Sequence, residues 1–293
     1  MSERNTALHT SNVSEPAQRG VSEPVQRGEI LVCEHLTCGY GKDPADHPVL
    51  SDLTFSLEEG KSLAILGANG CGKTTLLRAI GKALPYEGSI RMLGREIRDT
   101  GRKQIASMQA MLSQISSVYF SYTVEETVML GRYLYLEGLF GKPSRKDRKI
   151  VEAALVQNGL YELKDRQISE LSGGQLQRVF LARTMAQQTP VLILDEPTNH
   201  LDLKYQEELI SFLQEWKKGV TILPDGREIR HTLIGVFHDV NLAMDIADEL
   251  LLMKQGRILS KGEKAQAATN GMLQEAFGMD VASYMKKHLS FWG

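Results

Sequence analysis

The sequence predicts an α/β domain with a parallel core sheet and one helical insertion. Three observations predict it. Short apolar runs, "SLAILG", "PVLILDEP" and "HTLIGVFHDV", read as buried strands. The first run ends in glycine and leads into the helix-forming "TTLLRAIGKAL"; strand, glycine turn and helix make the βα unit of a parallel sheet. Residues from about 124 to 170 read as mainly helical and lie between the first and second buried runs.

The elements follow in chain order. "SEPAQRGV" and "SEPVQRG" form an imperfect tandem repeat within residues 1–28. So polar a stretch buries too little apolar surface to offset ordering entropy, which predicts a disordered tail. Residues 29 to 66 are β-rich: "EILVCEHLTCGY" and "SDLTFSLEEG" alternate in character. "GSIRMLGREI" reads as a hairpin. Within "VEETVMLGRYLYLEGLF" and "SRKDRKIVEAALVQNGL" the pattern is helical, and Ser144 with Asp147 forms a variant capping box. "NLAMDIAD" is a further helix after the last buried run. One domain is expected over 29–285, its helical part at about 115–178, with a C-terminal tail at 286–293.

Composition narrows the function classes. With 34 basic and 36 acidic residues the net charge is −2, so no global field draws nucleic acid or anionic lipid. The three cysteines Cys33, Cys38 and Cys71 make neither a disulfide framework nor a zinc spacing, which points to a reducing cytosol. No run approaches the ~18 apolar residues of a membrane span. The polar opening "MSERNTALHT" does not read as a signal peptide. Work at a membrane would therefore need a partner.

"GANGCGKTT", Gly67 to Thr75, fits the phosphate-loop pattern. Gly67, Asn69, Gly70, Cys71, Gly72, Lys73, Thr74 and Thr75 are the candidate nucleotide-binding residues. Glycines let successive backbone N–H groups point inward at phosphate, and the helix that follows adds its positive end. Lys73 is suited to neutralise the β- and γ-phosphates, and the Thr74 hydroxyl to ligate Mg²⁺. Asp195 emerges at the carboxyl end of "VLILDE", the edge where open parallel sheets bind ligands. It is the second candidate Mg²⁺ ligand, and Glu196 beside it is placed to orient or deprotonate an attacking water. His238 follows a third buried run; a lone histidine there is more often structural than catalytic. "SELSGGQLQR" has the glycines of another anion-binding helix start but lacks a Lys-Thr pair.

Taken in order, "GANGCGKTT", "MLSQ", "LSGGQLQR", "VLILDEP", "TNHLD" and "VFHD" resemble the ATP-binding cassette family over about residues 29 to 285. The resemblance implies a P-loop NTPase (RecA-like) core with an antiparallel β subdomain and an inserted α-helical subdomain. It implies that Tyr40 stacks on adenine and that Gln114 senses Mg²⁺ and water. It also implies that Ser172, Gly173, Gly174 and Gln175 cap the γ-phosphate held by a partner subunit. Asp202 would cross the dimer interface, and His238 would contact the γ-phosphate. ATP and Mg²⁺ are the implied cofactors, with Glu196, His238, Gln114 and Lys73 catalytic. Two copies would close head-to-tail around two nucleotides. Separate polytopic permease subunits would receive the force through the helical region, including Phe120 and Tyr122, at the cytoplasmic membrane face. "FSYTVEETVMLGRY" and "NGMLQEAFGMDVASY" resemble the subfamily that serves importers of ferric siderophores, haem and vitamin B12, with a substrate-binding protein as indirect partner. A soluble cassette in repair or translation, and an ATP-binding scaffold without turnover, are the other readings. The short spacer between the motifs, the single cassette and the charge balance disfavour the first, and the complete hydrolytic set disfavours the second.

Two departures from the family pattern stand out. Cys71 occupies a position where many relatives have serine. Either it simply packs, or the fields of Lys73 and the helix end favour a reactive thiolate. "WKKGVTILPDGREIRHT", Trp216 to Thr232, is longer than usual and reads as an extra surface hairpin turning at "PDG".

Overall fold

The computed structural model describes residues 28–41, 43–44, 46–113, 121–136, 141–199 and 201–290. The expected N-terminal tail, save Gly28, lies outside these residues, as do Gln114, Phe120 and His200.

The chain enters as two long antiparallel strands, β1 (Glu29–Gly39) and β2 (Pro48–Glu58). Leu53, Phe55 and Leu57 of β2 turn inward at every second position, the period of a strand with one buried face. β3 (Ser62–Leu66) is buried at every residue, as a strand covered on both faces must be. It runs through the phosphate loop into α1 (Lys73–Ile80). β4 (Tyr86–Met92) and β5 (Arg95–Glu96) form the expected hairpin. Its two-residue turn, Leu93 and Gly94, has φ values of 51° and 75°, as the tight turn between twisted strands requires. α2 (Arg102–Met108) leads into β6 (Gln109–Leu112).

The helical part contains α3 (Val124–Met129), α4 (Arg145–Gln157) and α5 (Gly173–Ala186). Each starts with a reciprocal side-chain cap: Thr123 with Glu126, Ser144 with Asp147, and Ser172 with Gln175. Asp147 has a second role: it accepts from Arg132 Nε at 2.9 Å, and both residues are buried. β7 (Val191–Asp195) follows, then α6 (Leu203–Trp216). β8 (Val220–Ile222) and β9 (Glu228–Arg230) pair antiparallel as the extra hairpin. β10 (Thr232–Val236) leads into α7 (Val240–Ile246). β11 (Glu249–Lys254), β12 (Arg257–Glu263), α8 (Lys264–Ala267), α9 (Asn270–Phe277) and α10 (Val281–Leu289) complete the chain. α10 crosses the boundary expected at 285/286.

Among the described residues a six-stranded sheet has the order β12-β11-β3-β10-β7-β6. It is parallel from β11 to β6, and β12 is an antiparallel edge. The second sheet, β2-β1-β4-β5, is antiparallel. One apolar core lies between the two sheets around α1 and includes Leu31, Leu57, Leu76 and Ile193. A second covers the other face of the parallel sheet under α6, α7, α9 and α10. A third holds α3, α4 and α5 together through Val124, Val151 and Val179. α5 belongs to both of the last two, through Leu181 and Val179, so the helical part is anchored on the parallel sheet. Among the described residues no helix is long and apolar enough to cross a membrane.

Candidate active site

β3, β7 and β10 are neighbours, and their carboxyl ends deliver the phosphate loop, Asp195 with Glu196, and His238 to one edge. Gly67, Gly70 and Gly72 adopt φ of 150°, 78° and 106°, backbone open chiefly to glycine. At Gly67 any side chain is also excluded by contact, because a Cβ would lie 2.3 Å from the Met253 carbonyl oxygen on β11. Lys73 is buried, and its Nζ donates to the Gly67 carbonyl at 2.8 Å and the Ala68 carbonyl at 3.1 Å. The loop's own carbonyls thus hold the ammonium inside the curl. α1 begins at Gly72 without a side-chain cap, which leaves its first amides available to an anion.

Thr74 Oγ1 donates to Asp195 Oδ1 at 3.1 Å, joining the loop to the end of β7. Burial pushes the Asp195 carboxyl above the ordinary range, and the charge of Glu196 pushes the same way. The Thr74 hydrogen bond and the charges of Arg78 and Lys73 oppose this. An alcohol oxygen beside a buried carboxylate is the hard-oxygen chemistry that suits Mg²⁺. Glu196 turns away from β7 with φ 54°, a left-handed conformation uncommon outside glycine. His238 Nε2 meets its Oε1 at 2.6 Å, and Asn199 Nδ2 donates to its Oε2 at 2.5 Å.

A cleft of about 510 Å³ is lined by Tyr40, Val49, Lys73, Thr74, Glu196 and His238, with loop residues Asn69, Gly70, Gly72 and Thr75. Tyr40 is 56% exposed, so its ring face is open to a planar ligand. The cleft therefore gathers an exposed aromatic side chain, the glycine-rich loop with Lys73, and a carboxylate–imidazole pair. Gln114, the remaining expected catalytic and metal-binding residue, lies outside the described residues.

At Cys71 the geometry favours the packing alternative. Its side chain turns into the core between the sheets and is 5% exposed. Burial pushes the thiol up, and Lys73 with the neighbouring backbone amides fails to reverse this. Packing rather than thiolate reactivity describes the position, so Cys71 contributes to the loop through its backbone.

Ser172, Gly173, Gly174 and Gln175 line a different cleft, of about 580 Å³, with Arg178, Leu201, Asp202 and Tyr205. Ser172 caps α5, accepting from Gln175 N at 3.3 Å, and Asp202 caps α6, accepting from Tyr205 N at 3.0 Å. Arg178 sits 4.0 Å over the Tyr205 ring, tying the two helix starts together. This cleft and the phosphate-loop cleft share no lining residue. Gln177 Nε2 nevertheless donates to the Pro197 carbonyl at 3.3 Å, so α5 is tethered to the turn carrying Glu196. Sequence reasoning did not single out Asn199 or Val49. Asn199 sits in the quoted "TNHLD", three residues after Glu196, a spacing that lets one turn bring the side chains together.

A model of the family described as ABC transporter matches residues 50–199. The iron(3+)-hydroxamate import ATP-binding protein of Bacillus subtilis is 34% identical over 252 residues, covering 86% of this chain and 88% of that one. The chain belongs to the ABC transporter family. It is an ATP-binding and ATP-hydrolysing cassette. The ferric enterobactin transport ATP-binding protein of Escherichia coli is 34% identical, covering 84% of the cassette and 86% of the relative. An uncharacterized ABC transporter ATP-binding protein of B. subtilis is 38% identical over 86% of the cassette, which spans 54% of that relative's length. Among solved structures, an inward-facing metal-chelate type ABC transporter matches with a TM-score of 0.68 and 28% identity, over 85% of the cassette and 88% of that chain. A dimeric, post-hydrolysis ATP-binding cassette bound to ADP and Pi matches with a TM-score of 0.68 and 25% identity, over 80% of this chain and 98% of that one.

Proposed function

We propose that this cassette works as a homodimer on the cytoplasmic face of a membrane. It powers the import of an iron chelate, haem or cobalamin through separate permease subunits. The observation that supports the paired mechanism is that the Gly67–Thr75 loop and the Ser172 helix start line separate clefts. The loop of Gly67 to Thr75 can hold a triphosphate. The helix start at Ser172 has amides for an anion but belongs to the other cleft, so a second copy must bring it to the nucleotide. The relatives support the iron-chelate and haem part of that cargo class, their names giving iron–hydroxamate, enterobactin and hemin.

Within that reading each side chain has a task. Tyr40 stacks on adenine. The Gly67–Thr75 amides and Lys73 bind phosphate oxygens, and Ser172 with the Gly173 and Gly174 amides of the second copy binds the terminal phosphate. Glu196 accepts a proton from the attacking water, held for this by Asn199, while His238 turns its Nε2 proton from Glu196 to the γ-phosphate once nucleotide is bound. Thr74, Asp195 and Gln114 would hold Mg²⁺, which when bound neutralises charge on the phosphates. Closure of the pair supplies the differential binding energy that shifts the permease.

Reconstitution of the cassette in liposomes with its candidate permease and substrate-binding protein tests this reading. Uptake of a ferric siderophore, haem or cobalamin should require ATP and vanish with Glu196→Gln. Failure to bind the permease, or uptake that survives Glu196→Gln, would contradict it.

A further inference from the structure

Tyr40 lies just past the end of β1, and its hydroxyl is held by α1. The hydroxyl lies 3.2 Å from Thr75 Oγ1 and accepts from Arg78 Nη1 at 3.4 Å. Arg78 stands three residues after Thr75 and four after Thr74, so all three share one face of α1. Guanidinium has no acceptor, so the phenol oxygen must take the Arg78 hydrogen bond. Either hydroxyl can be the donor in the Tyr40–Thr75 contact, because a phenol oxygen that accepts from Arg78 still has a second lone pair and its own proton. The positive charge of Arg78 also reaches Asp195, where it opposes the effect of burial.

We propose that Arg78 is a positioning residue for the nucleotide. Through the chain Arg78–Tyr40–Thr75 it fixes the aromatic platform against the phosphate cradle, so that base and phosphates are registered by one helix. The two hydrogen bonds meet at one phenol oxygen beside a permanent cation, an arrangement in which each bond polarises the other. This inference rests on Tyr40 being the base platform.

Steady-state ATPase kinetics with purified full-length variants test it. Arg78→Ala should raise KM for ATP about fivefold, the cost of one lost hydrogen bond, and leave kcat within about twofold. Tyr40→Phe keeps the ring and removes the hydroxyl, so it should give the same KM. The Tyr40→Phe/Arg78→Ala double variant should then be no worse than either single one. Arg78→Lys, which retains a charged donor, should recover part of the loss. Thermal unfolding of each variant separates this from a general loss of structure. Unchanged KM in Arg78→Ala, or fully additive effects in the double variant, would overturn the proposal. Tyr40→Ala isolates the underlying reading. If it leaves KM unchanged, the base platform itself is wrong; if it raises KM while Arg78→Ala does not, only the positioning role fails.

Discussion

His238 Nε2 lies 2.6 Å from Glu196 Oε1, so the histidine at the end of β10 and the acid at the end of β7 form one unit across adjacent strands. A carboxylate can only accept, so in this contact the imidazole carries its proton on Nε2. With Asn199 on the other oxygen, the carboxylate plane is fixed from both sides. Glu196→Gln should therefore keep ATP binding and lose at least about a hundredfold in kcat, the usual scale for removing a general base. Asn199→Ala leaves the base present but loose and should lower kcat about tenfold with KM unchanged. Single-turnover hydrolysis beside equilibrium nucleotide binding checks both. Steady turnover in Glu196→Gln would refute the assignment.

Asp195 should trade stability for binding. Its carboxyl is raised by burial, so the folded protein holds that proton more tightly than the unfolded chain does. The stabilisation is present below the ordinary carboxylate range and is lost as pH rises through the folded value. At neutral pH the ligand-free protein therefore carries a buried charge at a cost. Asp195→Asn keeps an acceptor for Thr74 and should raise the ligand-free melting temperature. The same variant should lose most of the extra stabilisation that Mg²⁺ with ATP gives the parent. Differential scanning calorimetry with and without nucleotide reads both signs.

Cys71 should be chemically quiet. Because burial raises its thiol, alkylation near neutral pH should be much slower than for an exposed thiol and should quicken as pH rises. Cys71→Ser should change ATPase activity less than about twofold. Mass spectrometry of timed iodoacetamide reactions gives the rate. Rapid modification that ATP blocks would restore the reactive-thiolate reading.

The inserted hairpin should loosen in acid. His231 stacks on Trp216 with ring centroids 4.2 Å apart, and contacts the Trp216 carbonyl through Nδ1 at 2.7 Å and Thr221 Oγ1 through Nε2 at 3.0 Å. A carbonyl only accepts, so Nδ1 carries the proton and Nε2 accepts from Thr221. Burial holds the imidazole below its ordinary value of 6.5. Its stabilising fit is present above that value and lost as pH falls through the lower folded value. Hydrogen-exchange protection of Val220–Ile222 and Glu228–Arg230 should drop between pH 7 and pH 5, while β3 and β10 stay protected. His231→Phe should abolish this pH dependence.

The parts legible in the sequence are those where one local pattern fixes one backbone form. "SLAILG" before "GANGCGKTT" reveals a buried strand and a phosphate cradle because both lie within a single strand–loop–helix unit. Asp195 and Glu196 were legible for the same reason. Side-chain partners that depend on tertiary packing were not. Asp147 was readable as the capping partner of Ser144, but its buried bond to Arg132 depends on how α4 meets the turn after α3. Removing Arg132 alone would leave that buried carboxylate without its cation, held only by the Ser144 cap, and should destabilise the helical part. The direction of the Cys71 side chain was equally hidden, since loop sequence says which backbone is allowed but not which face meets the core. β6, β11 and β12 carried no assignment in advance. β6 is a four-residue edge strand, and β11 with β12 earn their places by pairing beside β3.

The central claim is that Gly67–Thr75 and Ser172–Gln175 of one chain belong to two different nucleotide sites, each completed by the second copy. Light-scattering mass after size exclusion, in the Glu196→Gln background with and without MgATP, tests it most directly. ATP should convert one-chain particles into two-chain particles. Adding Ser172→Arg should keep the protein at one chain while leaving its ATP affinity within about threefold. An ATP-driven dimer that forms equally well with Ser172→Arg would contradict the account.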